Sequence, residues 1–137
     1  MTSAAIDAQG TTIGRGDGGG SEVFTTIPEI ATINGPSGSA AVLDVTSLSS
    51  TAKEKRMGLP DEGQITLNGF FVPTNAQHTG LRSDRNAQTL RNFVITFSDA
   101  STASFAAYVT NFSTSVGVDD TVKLDVTLEI SGSVTWA

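Results

Sequence analysis

Few residues in this chain have the types and spacing that chemistry requires. Gly14, Gly16 and Gly19 fit G-x-G-x-x-G, the loop that cradles a dinucleotide. Such a loop must open a helix whose N-terminus holds the pyrophosphate. Here the glycines lead into Glu22-Val23-Phe24-Thr25-Thr26-Ile27, which reads as a strand, so nucleotide binding is set aside. Arg15-Gly16-Asp17 is the tripeptide that integrin ligands display. Within "GRGDGGG" it reads as a hairpin turn, in which the glycine backbone, and neither the Arg15 nor the Asp17 side chain, is the determinant.

His78 is the only histidine. With no nucleophile and orienting carboxylate placed beside it by the sequence, it reads as a packing or solvent-facing residue. Asp61-Glu62 and Asp119-Asp120 sit among turn residues and lack the spaced oxygen ligands of a Ca²⁺ loop. The chain has no cysteine, hence no disulfide and no thiolate metal site. No catalytic residue, metal or cofactor is expected, and the protein does not read as an enzyme.

The 137 residues are expected to form a single domain with one hydrophobic core. No apolar run approaches the roughly 20 residues of a membrane helix, and "MTSAAIDAQG" has neither a basic region nor an apolar one, so no secretion signal is expected. The net charge of −6 argues against a dedicated nucleic-acid binder. Basic residues cluster in two runs, Lys53, Lys55 and Arg56, then Arg82, Arg85 and Arg91.

Runs rich in Val, Ile, Thr and Phe, bounded by Gly, Pro, Asn and Ser, announce strands. The expected strands are Thr11 to Gly14, Glu22 to Ile27 continuing to Ile33 past a break at Pro28, Ser39 to Thr46, Gln64 to Val72, Thr89 to Phe97 and Ser104 to Phe112. A final strand, Thr121 to Ser131, is the clearest: Val122, Leu124, Val126, Leu128 and Ile130 alternate with Lys123, Asp125, Thr127 and Glu129, one face for a core and one for water. Pro28 makes its strand an edge or bulges it there, and Trp136 is expected to anchor the chain's end by burial. Thr74 to Ala87 is the one helix expected, with Thr74 and Gln77 as a capping box and with Gly80 costing about 1 kcal/mol against alanine. "SLSSTAKEKRMGLPDEG", Ser47 to Gly63, has no strand pattern and reads as a long functional loop; residues 1–9 read as a flexible arm. The fold class is therefore mainly β: an antiparallel sandwich or barrel of about seven strands flanked by one α-helix.

The order of "GQITLNGFFVP", "TNAQHTGLRSDRNAQ", "TLRNFVITFSD", "SFAAYVTNF" and "DDTVKLDVTLEISGSV" resembles the tail tube protein of long-tailed, lambda-like bacteriophages. The resemblance runs from about Gly10 to Val134 as a pattern of segments without a chemical motif. The lambda-type protein carries an immunoglobulin-like C-terminal domain that has no counterpart in these residues, so its surface role does not carry over. The resemblance implies a structural virion protein whose copies form hexameric rings stacked into a hollow tube, assembled in the host cytoplasm. The tube forms around a tape measure protein, is bounded by tail terminator and distal tail proteins, and passes double-stranded DNA without binding it specifically. It further implies that the Ser47–Gly63 loop reaches a neighbouring subunit, with Lys53, Lys55, Arg56, Met57 and Leu59 at the interface. Asp125, Thr127 and Glu129, with Asp44, would line the lumen, where Lys123 interrupts the acidic character. A carbohydrate-binding or adhesive β-sandwich is the alternative, against which a single Tyr and a single Trp count.

Overall fold

A computed structural model describes residues 9–18, 22–118 and 121–137. Among these, nine strands and one helix follow in the order β1 (Thr12–Gly16), β2 (Phe24–Thr26), β3 (Ile30–Asn34), β4 (Ser39–Asp44), β5 (Lys55–Asp61), β6 (Gln64–Phe70), α1 (Ala76–Ala87), β7 (Leu90–Thr96), β8 (Thr102–Ser115) and β9 (Lys123–Trp136). Seven strands form one antiparallel sheet, ordered β2-β1-β7-β8-β9-β6-β3, and β4 pairs with β5 alone.

The large sheet must curl. Its edge strands β2 and β3 are joined by Ile27, Pro28 and Glu29 only. The four steps along the chain from Thr26 to Ile30 reach at most about 14 Å, whereas six inter-strand steps of about 4.8 Å would separate the edges of a flat sheet by about 29 Å. Ile27 on that link is buried in the core cluster, so the core occupies the concave side. There Leu67, Phe93, Ile95, Val126 and Leu128 meet Leu81 of α1, all essentially buried. Burial alternates along β6 and along the first half of β9, which is the period-two pattern of a sheet with one wet face.

Several expectations are corrected here. Helix α1 is capped by Asn75, whose Oδ1 accepts from the Gln77 and His78 amides at 2.8 and 3.3 Å; Thr74 and Gln77 form no capping box. Asparagine is a cap at least as good as threonine and stands one residue nearer the first helical turn. The strand expected to continue past Pro28 is instead two strands at opposite edges of the sheet, with Pro28 at the seam between them. Ser47–Gly63 is not structureless: Lys55–Asp61 is β5, paired with β4 from Ser39↔Asp61 to Asp44↔Lys55. Its charged and Gly-Pro-bearing sequence hides the strand because neither face is buried, so no alternation is imposed. Trp136 is 60% exposed and holds the end of β9 by stacking on Phe97 at 6.3 Å. Residues 1–8 of the expected N-terminal arm, and Asp119-Asp120, lie outside the described residues.

Candidate assembly site

Three surfaces could carry function, and one buried cluster holds them in place. The cluster centres on Asp84 of α1. Arg15 Nε and Nη2 donate to its two carboxylate oxygens at 2.8 and 3.1 Å, and Arg91 donates to the same oxygens at 3.3 and 2.8 Å. Arg15 also reaches Gln77 Oε1 at 3.4 Å. Thus β1, β7 and the helix are tied through one carboxylate that is almost fully buried. Gly80 becomes intelligible here: a Cβ at that position would lie 2.7 Å from Arg15 Nη1, so the helix gives up alanine's propensity to let the guanidinium cross it.

The reading of "GRGDGGG" as a turn is therefore corrected in part. Arg15 and Gly16 belong to β1, and the Arg15 side chain is engaged, not displayed. The chain turns only from Gly18, whose φ is +78°; Gly19–Ser21 lie outside the described residues. Glu22 then reaches back, its carboxylate accepting from the Gly18 amide at 2.9 Å and from Asn92 Nδ2 at 2.6 Å.

His78 clasps the seam of the curled sheet. It is fully buried. Its Nδ1 accepts from the Val72 amide at 3.0 Å, which places the proton of the neutral ring on Nε2, 2.7 Å from the Pro28 carbonyl oxygen. One imidazole thus joins the helix, the end of β6 and the β2–β3 link. Sequence reasoning gave His78 only a generic packing role, and missed Arg15, Asp84 and Arg91 as a set. Their partners are 69 and 7 residues apart, separations that carry no local signal.

The first surface is the outer, convex face of the large sheet. The register aligns Asn34–Thr66–Thr127–Asn111 in one row and Thr32–Asn68–Asp125–Ser113 in the next, while Gln64, Glu129 and Tyr108 form a third. Asp125, Thr127 and Glu129 are brought together on one strand of this face as expected, in a field of hydroxyls and amides. Lys123 shares the face; the other seven of the eight basic residues lie elsewhere, on the β4–β5 hairpin, on α1, or bound to Asp84. Asp44 is not on this face. It ends β4, where Thr46 hydrogen-bonds its carboxylate, the amide at 2.9 Å, and holds its carboxyl below the usual range.

The second surface is the β4–β5 hairpin. Val42 faces Met57 across the pair and Leu43 faces Arg56. Lys53, Lys55, Arg56, Met57 and Leu59 are all exposed, with Leu59 at 93%, and Val42, Leu43, Val45 and Leu48 add to the apolar exposure. The third is an open groove of about 760 Å³ between the end of α1 (Arg85, Asn86, Gln88) and Tyr108–Thr110 of β8. Among the described residues Tyr108 and Trp136 do not form one platform for a carbohydrate: Tyr108 pairs with Glu129, whereas Trp136 lies opposite Ala103, five residues away along β8. Among the described residues, no three His, Asp or Glu gather as metal ligands.

A family model described as phage tail tube, lambda-like, matches residues 4–104. The chain belongs to that family. It is a structural component of a virion tail. No curated protein matches it. Among solved structures, a chain from the tail of an empty gene transfer agent particle, refined with C6 symmetry, is 18% identical with a TM-score of 0.78, covering 97% of this chain and 99% of that one. A chain of the sheath–tube complex of an extracellular contractile injection system is 17% identical, TM-score 0.75, covering 99% and 93%. The SPP1 tail tube protein is 14% identical, TM-score 0.68, covering 96% and 78%. The tail tube family match ends at Ser104, before most of β8 and all of β9; those strands are covered by the likeness of fold.

Proposed function

We propose that this chain is the repeating subunit of a hollow tail tube, in which hexameric rings stack and the outer sheet face lines a bore for double-stranded DNA. The observation that carries the assembly is the β4–β5 hairpin. A two-stranded hairpin is at best marginally stable alone in water, and this one exposes Val42, Leu43, Met57 and Leu59 instead of burying them. Packed on a neighbouring copy, those side chains would be covered, and Lys53, Lys55 and Arg56 would pair with acids of a subunit whose net charge is −6. The tube would grow around a tape measure protein in the host cytoplasm and end at terminator and distal tail proteins. Its role is structural and not catalytic.

The bore follows from charge. Binding to DNA depends on Lys and Arg displacing counterions from phosphates. The outer face presents Asp125 and Glu129 within rows of Thr, Asn and Ser, a wall that leaves phosphates solvated. In a ring every substitution is repeated around the axis. Asp125→Lys with Glu129→Lys would present repeated positive charge while leaving Leu124, Val126 and Leu128 in the core. Virions carrying both changes are expected to form tails of normal appearance and to retain DNA, most strongly at low salt. Normal ejection at low salt from well-formed tails would show that these residues do not line the channel.

A further inference from the structure

Sulfur is scarce in this chain. It has no cysteine and two methionines, Met1 and Met57. Met1 lies outside the described residues, so Met57 is the one sulfur on the body of the fold. Its place is unusual for an apolar side chain. Met57 lies in β5 and is 68% exposed. It faces Val42 across the hairpin, and Val42 is exposed as well. Just beyond Met57 the pairing shifts: Val42 pairs with Met57 and Ala40 with Pro60, so one residue of β4, Ala41, spans two of β5, Gly58 and Leu59. A bulge of this kind bends its strand and re-aims the side chains beside it. The thioether therefore stands in water among Val42, Leu43 and Leu59, the apolar groups that assembly would cover. It is open to a small reagent in a free subunit and closed to it once a neighbouring copy is in place.

We propose that Met57 is an oxidation site whose state decides whether a free subunit can assemble. The inference rests on the hairpin contact of the proposed function and deepens it by naming a chemical control on that contact. The co-reactant is a hydroperoxide, of which hydrogen peroxide is the simplest. A lone pair of Met57 Sδ attacks one peroxide oxygen. The S–O bond forms as the O–O bond breaks, and the hydroxide released takes the proton left on the new oxygen and departs as water. Sulfur is oxidised and the peroxide reduced. The product, methionine sulfoxide, is a polar and chiral side chain in place of a flexible apolar one.

The effect falls on assembly and spares the monomer. No residue of β5 is buried, so an added oxygen disturbs no core packing. Covering the hairpin is another matter. A thioether gains by leaving water and adapts its shape to an irregular surface. A sulfoxide oxygen loses its water there and must find a donor. Lys55 and Arg56, beside it in sequence, are the donors the proposed function assigns to acids of the neighbour, so an oxygen that recruits one takes it from the contact. Reduction by the two epimer-specific sulfoxide reductases restores the thioether. The control therefore acts between folding and assembly and ends when the sulfur is covered.

The test treats the purified wild-type chain with hydrogen peroxide before assembly. Peptide mass mapping locates the added oxygen, and sedimentation with electron microscopy gives the lowest concentration at which tubes form. Oxidation at Met57 is expected to raise that concentration by about tenfold, with the denaturation midpoint unchanged, and the two reductases are expected to return it. Met57→Leu removes the sulfur and keeps an apolar side chain of similar volume. Measured against its own untreated sample, it is expected to show no response to peroxide. Met57→Gln, polar without oxidation, is expected to need the higher concentration untreated. In preformed wild-type tubes Met57 is expected to oxidise about tenfold more slowly than in free subunits. An oxidised chain that assembles at the original concentration would overturn the site and leave the hairpin contact standing. So would a Met57→Leu chain that peroxide still blocks, since the lesion would then lie elsewhere. Should Met57→Leu not assemble at all, Met57→Gln and the reductases decide: normal tubes from Met57→Gln, or no recovery on reduction, would overturn the site. A wild-type chain that makes no tubes before treatment would overturn the proposed function as well.

Discussion

Leu59 and Leu67 are eight residues apart in the chain and at opposite extremes of exposure, 93% and 0%. Leu67 lies in β6, a strand whose alternate side chains, Ile65 and Leu67, are buried in the core cluster. Leu59 lies in β5, a strand paired only with β4, through a register shift between Ala40 and Val42, and with none of its seven residues buried. The seven-stranded sheet holds itself together: apolar core, Asp84 shared by two arginines, His78 across the seam. The hairpin has ladder bonds and no core. Backbone pairing alone does not make an element independently stable; the hairpin's missing burial points to a surface supplied by another molecule. The body stabilises the monomer; under the proposed function the hairpin's apolar groups would be covered by a neighbouring copy.

Breaking the body should show this most strongly. Asp84→Ala leaves Arg15 and Arg91, on neighbouring strands, without their shared carboxylate, and is expected to destabilise the monomer by about 3–4 kcal/mol in chemical denaturation. Arg15→Ala, which removes one partner and leaves the Arg91 pair, should cost less, about 1–2 kcal/mol. A neutral outcome for Asp84→Ala would mean that the cluster is not what binds β1 and β7 to the helix. Next, His78→Ala removes partners for the Val72 amide and the Pro28 carbonyl and opens a cavity. About 2–3 kcal/mol is expected, with faster hydrogen exchange at Val72.

The hairpin should respond in the opposite way. Met57→Ser with Leu59→Ser removes exposed apolar area only, so the denaturation midpoint is expected to stay within about 0.5 kcal/mol of wild type, while tube formation is lost. If the double variant unfolds easily, the hairpin belongs to the monomer's core after all; if it assembles normally, the hairpin is not an assembly contact. The smallest effect expected is at Asp44. Its hydrogen bonds with Thr46 depress the carboxyl's affinity for protons, so the turn's contribution is present above the ordinary carboxyl value of 3.8 and fades as pH falls below it. The amide signal of Thr46 should report that titration, and Asp44→Ala should abolish it.

The same contrast explains what the sequence discloses. Strands β6, β7 and the first half of β9 are legible because burial on one face forces a period of two: Ile65 and Leu67, Phe93 and Ile95, Leu124 to Ile130. Their polar alternates, Asp125, Thr127 and Glu129, become legible by the same rule, and the structure sets them on one face. β5 is not legible, since a strand with no buried side carries no pattern. Asn75 as the cap is hidden by the neighbouring Thr74, which satisfies the same rule in sequence. The Arg15–Asp84–Arg91 cluster is hidden for another reason: nothing local links residue 15 to residue 84. Gly80 is its one trace, a costly residue in a helix whose reason appears only when Arg15 is seen lying across it.

Where the outer face and the hairpin go when copies meet decides whether this chain builds a tube in the way proposed. Cryo-electron microscopy of the wild-type chain, produced with its tape measure protein, tests both at once. The expected image is a tube of stacked six-subunit rings, with Asp125 and Glu129 on the inner wall, the β4–β5 hairpin packed on a neighbouring copy, and α1 away from the bore. A chain that stays monomeric under those conditions, or a tube with the hairpin exposed and the Asp125 row on its outside, would contradict it.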